Sequence, residues 1–276
     1  MLENKFSESN LINAIKRSGY LFESEVVKNL SRRNFFIESN QCIQDPISGK
    51  SREIDIIAES ELHDSRNSKI KLYSNVKFTF ELKNNDFPLV LMTNQPFSPN
   101  TMLHEQVKMF TNFQSEHEIV YSISAFEEFT DYNDSSIFTQ YCTFAKKKSK
   151  DTNNQLMAHH PDYLYSGLLK ISQYCDETID FCKKDYKDLY NIFGLWIPIL
   201  LIKDNLFELA INNNEEPRLI SVEESKLVFN YYYKKEPKSS IIYIVTQKGL
   251  DPFLDKILNF QNDIKDQIME QIEKKD

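Results

Sequence analysis

Glu81 and Lys83 stand two residues apart at the end of the stretch Val76-Lys77-Phe78-Thr79-Phe80-Glu81-Leu82-Lys83. Upstream, Asp55 interrupts the apolar run Ile54-Asp55-Ile56-Ile57-Ala58, and Glu23 falls three, four and seven residues before Val26, Val27 and Leu30. Three carboxylates and an ammonium in these places suit the hydrolysis of a phosphodiester. In-line attack needs an activated water, neutralisation of the phosphate and help for the leaving oxygen. One or two hard divalent cations held by carboxylates supply all three. Mg²⁺ takes oxygen ligands and keeps several waters, so Asp55, Glu81 and the main-chain carbonyl of Leu82 suffice to hold it, with Glu23 reaching in as a further acid. Lys83 is then placed to orient or deprotonate the water, or to stabilise the phosphate in the transition state. A plainer reading pairs Asp55 with Lys83 in a salt bridge, leaves Glu81 exposed and makes Glu23 a helix-start glutamate favoured by the macrodipole.

The elements that must position these residues follow from periodicity. Val76, Phe78, Phe80 and Leu82 alternate with Lys77, Thr79, Glu81 and Lys83, the pattern of a strand with one face on a core. Glu81 and Lys83 therefore share the other face, just before Asn84-Asn85-Asp86 breaks the strand. A helix is expected from Tyr20 to Arg33, with Val26, Val27 and Leu30 as its apolar stripe and Glu23 on the buried side. A carboxylate there is costly unless something pairs with it. Phe35 to Gln44 and Arg52 to Ala58 read as strands of a hairpin around Asp45-Pro46-Ile47-Ser48-Gly49. Residues 1–18 read as a short polar helix contacting the rest through Leu11, Ile12 and Ile15. Glu61 to Ser68 reads as a polar loop, and Thr101 to Gln114 as a helix with Leu103, Val107 and Phe110 on one side.

The second half reads as α/β as well. Glu118 to Ser124 is strand-like, Phe126 to Asp134 is acidic and loop-prone, and Tyr141 to Ala145 runs into the basic cluster Lys146 to Lys150. Two helices are expected, Pro161 to Cys175 and Glu177 to Tyr190. Two hairpins follow, Trp196–Ile202 with Leu206–Ile211 and Leu227–Tyr233 with Ile241–Thr246. An amphipathic helix from Pro252, capped by Asp251, ends the chain. Its Phe253, Leu254, Ile257, Leu258, Ile264, Ile268 and Ile272 are core or partner-facing positions. No internal repeat or Gly/Ser-rich linker divides the chain, so one α/β domain over residues 1–276 is expected, with its motif-bearing core at 19–115 and elaborations at 116–276.

Composition sets the class. The 276 residues are 41% hydrophobic and 13% aromatic, enough for a substantial core. A net charge of -8 argues against a protein that coats duplex DNA without sequence preference. Cys42, Cys142, Cys175 and Cys182 form no CxxC and no zinc spacing. They fit reduced thiols, and with no secretory leader or membrane-length apolar run the expectation is a soluble cytoplasmic protein. The five histidines have no ligand spacing, His159-His160 being adjacent and so divergent. Tyr231-Tyr232-Tyr233 reads as core filling rather than a stacking platform. No P-loop, GxGxxG, GxSxG or kinase pattern is present.

Glu23 on a helix, then a hairpin carrying Ile54-Asp55 and a strand ending Glu81-Leu82-Lys83, resembles the restriction-endonuclease-like PD-(D/E)xK nuclease superfamily. Gly-Lys-Ser-Arg-Glu-Ile-Asp-Ile-Ile-Ala (49–58) followed by Phe-Glu-Leu-Lys (80–83) is similar to many bacterial members. The likeness covers roughly residues 19–92 and fades after that. Ile54 stands where the motif has proline. The interval between Asp55 and Glu81 is longer than usual, which leaves open whether their strands are direct neighbours. The resemblance implies a central mixed sheet flanked by helices, dependence on Mg²⁺ or Mn²⁺, and cleavage of nucleic acid, with DNA the expected substrate, in bacterial restriction, defence or repair. It carries Asp55, Glu81 and Lys83 over as the core motif and Glu23 as the helix acid, with Gln106 and Lys108 as candidate substrate contacts. Two other expectations stand beside it: a nuclease-like fold that binds or assembles without turnover, and a homodimer through the C-terminal helix.

Overall fold

The computed structural model describes residues 6–44, 49–67, 70–95, 107–112, 137–146, 155–186, 191–211 and 216–273. Four helices are described: α1 (Glu8–Ser18), α2 (Tyr20–Arg32), α3 (Asp162–Asp185) and α4 (Leu250–Glu273). The strands among these residues are β1 (Phe36–Gln44), β2 (Ser51–Asn67), β3 (Ile70–Lys83), β4 (Leu89–Gln95), β5 (Lys108–Asn112) and β6 (Ile137–Lys146), then β7 (Leu156–His159), β8 (Ile192–Ile202), β9 (Leu206–Ala210), β10 (Arg218–Val222), β11 (Glu224–Tyr233) and β12 (Glu236–Thr246). They join one mixed sheet in the order β1-β2-β3-β8-β12-β11-β6-β4-β9-β10, with β5 added to β8 and β7 to β6. The α/β class and the helix-flanked mixed sheet expected from sequence are therefore present. The expected strand Glu118–Ser124, the acidic stretch Phe126–Asp134, Gln106, and Lys147 to Lys150 lie outside the described residues.

Alternation on β3 does what the sequence requires on one face: Val76, Phe78 and Phe80 are wholly buried and Leu82 nearly so. They meet Phe22, Val26 and Leu30 of α2 and the stripe of α4. The opposite face is not left to solvent. Helix α3 covers it, and Thr79 and Glu81 are as buried as their apolar neighbours. On that side Leu164, Leu168 and Ile171 of α3 pack with Leu200 and Ile202 of β8. The strand is thus held on both faces, and any charge on it must find partners inside the protein.

Several expectations change. Glu61 to Ser68 is not a loop, since β2 runs to Asn67 and pairs with β3 through Glu61↔Asn75 and His63↔Tyr73. This far arm is built from polar cross-strand contacts, such as Tyr73 Oη donating to Glu61 Oε1 at 2.8 Å, which apolar periodicity does not register. Residues 108–112, assigned to a helix, form strand β5, in which Lys108 and Phe110 point inward. The two expected helices 161–175 and 177–190 are one helix, α3, ending at Asp185. Asp176, between the two expected helices, sits in mid-helix with Lys108 Nζ at 2.8 Å and Tyr231 Oη at 2.5 Å.

The expected hairpin of Trp196–Ile202 with Leu206–Ile211 does not form. All eleven residues of β8 are buried, as a central strand requires, and both its edges are taken. One edge pairs with β3 along its whole length, and the other is shared by β5 at 192–196 and β12 at 199–202. Pro198, which lacks an N–H, falls between those two ladders. Strand β9 instead pairs with β4 and β10. The second expected hairpin, β11 with β12, forms.

Helix α1 begins with Ser7 as its cap, and its expected contacts Leu11, Ile12 and Ile15 remain exposed. Helix α4 starts at Leu250, so Asp251 lies inside its first turn rather than capping it, and accepts from Asn29 Nδ2 at 2.9 Å and Arg33 Nε at 3.1 Å. Phe253, Leu254, Ile257, Ile264 and Ile268 of α4, the positions that suggested a homodimer, are buried on the chain's own core. Tyr231 and Tyr233 are core residues, while Tyr232 is exposed. Cys142 and Cys175 are buried free thiols, but Cys42 is exposed. Among the described residues no helix is long and apolar enough to cross a membrane.

Candidate functional site

β2 and β3 are direct antiparallel neighbours, which answers the question left by their long separation in sequence. Their ladder runs down to Ile56↔Phe80, so the next residues on each strand, Asp55 and Glu81, face one another where the ladder stops. Instead of a further ladder bond, the Leu82 amide donates to Asp55 Oδ2 at 2.7 Å. In an extended chain the N–H and C=O of one residue face the same edge, so the Leu82 carbonyl also turns toward β2. Two residues on, Lys83 folds back so that its Nζ contacts Glu81 Oε1.

Glu23 arrives from the other side of the sheet end. Gly19, at φ +90°, ends α1 and opens α2, a left-handed conformation that a side chain disfavours. Asn84 lies against that glycine and donates to the Lys16 carbonyl at 3.1 Å, tying the helix junction to the end of β3. Glu23, in the first turn of α2, is half-buried on the flank of the apolar stripe rather than at its centre. Its carboxyl is pushed above the ordinary range by burial and then by Asp55, with Lys83 opposing and Glu81 adding to the push. The four residues singled out in the sequence are thus electrostatic neighbours in the fold.

A fifth group was not singled out. Lys170 projects from α3 with its side chain 11% exposed, and its ammonium lies among three oxygens. It donates to the Glu53 carbonyl at 2.5 Å and Asp55 Oδ1 at 3.2 Å, and is ion-paired with Glu81 Oε2 without a well-aligned hydrogen bond. Its signal was present in the sequence: a lysine within Leu168-Leu169-Lys170-Ile171, on the buried stripe of a helix, is as anomalous as Glu23 on its own. Three residues earlier Gly167 allows the close approach. A Cβ there would stand 2.7 Å from both Cδ and Oε1 of Glu81.

The charges explain one another. Glu81 is only 3% exposed, and Lys83 and Lys170 flank its carboxylate. Burial and then Glu81 raise the Asp55 carboxyl above its ordinary value, against Lys170 and the Leu82 amide. Burial works against the Lys170 ammonium, but Glu81 and Asp55 outweigh it, so its pKa is raised. Lys83 also lines a cleft of about 230 Å³ with Asn84, Asp86, Phe87 and Tyr163, which leaves space for a ligand beside the cluster.

Among the described residues no three Asp, Glu, His or Cys side chains are grouped to hold a metal ion. Asp55 and Glu81 still fit a hard cation. Lys170 shows that the place between them holds positive charge, surrounded by two carboxylates and a main-chain carbonyl, the oxygen donors Mg²⁺ takes. Lys108, a candidate substrate contact, is elsewhere: it is buried in β5 and paired with Asp176. No protein-family model, curated protein or solved structure matches the chain.

Proposed function

We propose that the chain is a metal-dependent nuclease of the restriction-endonuclease-like type, hydrolysing nucleic-acid phosphodiester bonds, with DNA as the substrate and bacterial restriction, defence or repair as its setting. One observation carries the reading. Asp55 and Glu81 converge across the parting strands β2 and β3, with Lys83 two residues beyond and Glu23 within their electrostatic reach. A sheet end with three buried or half-buried carboxylates is costly to a fold that makes no use of it.

In this reading Asp55, Glu81 and the Leu82 carbonyl hold Mg²⁺ or Mn²⁺, which supplies Lewis-acid polarisation of the phosphate and a low-pKa water. The chain's own groups do the rest. The Leu82 amide fixes the Asp55 carboxylate. Lys83, at the mouth of the cleft, orients the attacking water, and its ammonium offsets the charge building on the phosphate. Glu23, half-buried and within electrostatic reach of Asp55 and Glu81, is the further acid of the site. The acidic balance leaves recognition to local surface, a nucleic-acid end or structure, or a partner.

Asp55→Ala is expected to abolish Mg²⁺- or Mn²⁺-dependent cleavage, and Lys83→Ala to slow it by about 10²-fold or more, the usual worth of a group that stabilises transition-state charge. Wild-type protein that cuts no form of DNA or RNA with either metal, or two variants that stay fully active, would end the proposal. A second reading, a nuclease-like fold that binds without turnover, is favoured by the ion pairs of Lys170, which already neutralise the carboxylates. Wild-type affinity for Mn²⁺ separates the two, since a silent module need bind none.

A further inference from the structure

We propose that Lys170 is a built-in stand-in for the divalent cation, and that metal enters the site by displacing its ammonium from Asp55 and Glu81. The inference rests on the nuclease reading above and adds to it a control over when the site is loaded.

The argument is one of matched donors. A lysine ammonium has three hydrogens and no acceptor capacity. Here the ammonium donates to Asp55 Oδ1 and the Glu53 carbonyl and is ion-paired with Glu81 Oε2, so one compact cation is held by two carboxylates and a peptide oxygen. A divalent cation placed between the same carboxylates would lie against the ammonium, and like charges at such a distance in a buried place repel strongly. Both cannot occupy the position. Glu81 Oε2 has no well-aligned hydrogen bond, so it is held by charge alone and gives up little directional bonding on exchange. Lysine is also suited to leave: its charge rides on a flexible four-carbon stem, where an arginine fork would lock both carboxylates.

The packing of α3 supports a built position rather than a chance contact. Gly167 removes the one methylene that would hold the helix away from Glu81, and Lys170 follows it by three residues on the same helical face. Lys83 differs: it contacts Glu81 alone, through the other oxygen, and faces the open cleft, so it remains when the cation changes. The protein without metal then keeps Asp55 and Glu81 paired with ammonium groups, and cleavage waits on enough free divalent ion to win the exchange.

The test uses the full chain and Mn²⁺. Lys170→Gln is expected to bind Mn²⁺ about tenfold tighter or more in calorimetry, because an ammonium that fills the site nine-tenths of the time lowers apparent affinity by about that factor. Lys170→Arg, which keeps the charge and adds a fork, is expected to bind no tighter than wild type. Removing a positive charge alone would also strengthen metal binding, so a second measurement is needed. Amine acylation of wild-type protein, read by peptide mass spectrometry, is expected to be slow at Lys170 without metal and several-fold faster when Mn²⁺ saturates the site. This arm needs no variant, so it stands even if Lys170→Gln fails to fold. Mn²⁺ binding to Lys170→Gln but not to wild type overturns the proposal, since metal then never displaces the ammonium. Wild type that binds Mn²⁺ with Lys170 labelling unchanged, or Lys170→Gln that binds no tighter, overturns it while leaving the nuclease reading in place. Absence of Mn²⁺ binding in both proteins removes the metal site and this proposal with it.

Discussion

Gly167→Ala gives a quantitative check on the site geometry that needs no substrate. On an ordinary helix the change should stabilise, since Gly in a helix interior is about 0.8–1.0 kcal/mol worse than Ala. Here the new methyl would lie 2.7 Å from Cδ and Oε1 and 2.8 Å from Cγ of Glu81, well inside van der Waals contact. Glu81 is a flexible side chain, but it is only 3% exposed and held from both sides by Lys83 and Lys170. Moving it strains those ion pairs, and overpacking of this kind costs about 1–3 kcal/mol. The net expectation is destabilisation by about 1 kcal/mol, the overpacking term less the helix gain. In a Glu81→Ala background the obstruction is gone and Gly167→Ala should stabilise by up to about 1 kcal/mol. The double-mutant cycle, measured by urea unfolding, should therefore show a coupling of about 2 kcal/mol, within the range for residues in contact. A Gly167→Ala that stabilises both backgrounds alike would refute the packing of α3 on Glu81, and with it the placement of Lys170.

Three further outcomes are expected. Asp55 has a folded pKa above its ordinary 3.8, so its favourable contribution is full below the unfolded value and lost as pH rises through the folded one. Asp55→Asn should therefore raise the melting temperature of metal-free protein at pH 7, with the gain shrinking as pH falls toward 3.8; a variant less stable than wild type across that range would contradict it. Lys108→Met leaves Asp176 buried with Tyr231 as its remaining partner, and should cost about 3–5 kcal/mol in urea unfolding, as breaking a buried pair does; a loss under about 1 kcal/mol would mean that water reaches the pair. Gln261, fully buried on α4, donates to the carbonyls of Ser60 and Ser74, both at 3.2 Å, and Gln261→Leu should lose about 1–3 kcal/mol for the acceptors left wanting. An unchanged urea midpoint would show that α4 is not anchored through this contact.

The parts of the fold legible in sequence were those fixed by local period. Val76 to Lys83 alternates, and β3 alternates; Val26 and Leu30 recur at helical spacing, and α2 buries them. What failed depended on which edge of which strand was free. The apolar run of β8 looks like one arm of a hairpin with Leu206–Ile211, because a three-residue polar turn separates them. That both edges of β8 are already filled by β3, β5 and β12 is a property of the whole sheet, and those partners lie up to about 120 residues away. The same holds for β5, where Leu103, Val107 and Phe110 match a helix but the vacant half of the β8 edge takes residues 108–112 as a strand. Non-local pairing overrode local spacing.

The site was half legible for a related reason. Glu23, Asp55 and Glu81 each sit where a core would not choose a carboxylate, and that anomaly is visible one element at a time. Lys170 carries the same kind of anomaly, but its meaning depends on α3 crossing the sheet at Glu81, which only the topology fixes. The charges make the dependence unavoidable. Three carboxylates against Lys83 alone would leave an excess of two negative charges at a largely buried sheet end, a state that the fold could not sustain without shedding charge by protonation. That excess calls for a bound cation or a second ammonium beside the carboxylates, even with the Glu23 and Asp55 pKa values raised. Lys170 meets that need before metal arrives, which ties the stability of the metal-free fold to the same position that the proposed chemistry requires to be vacated.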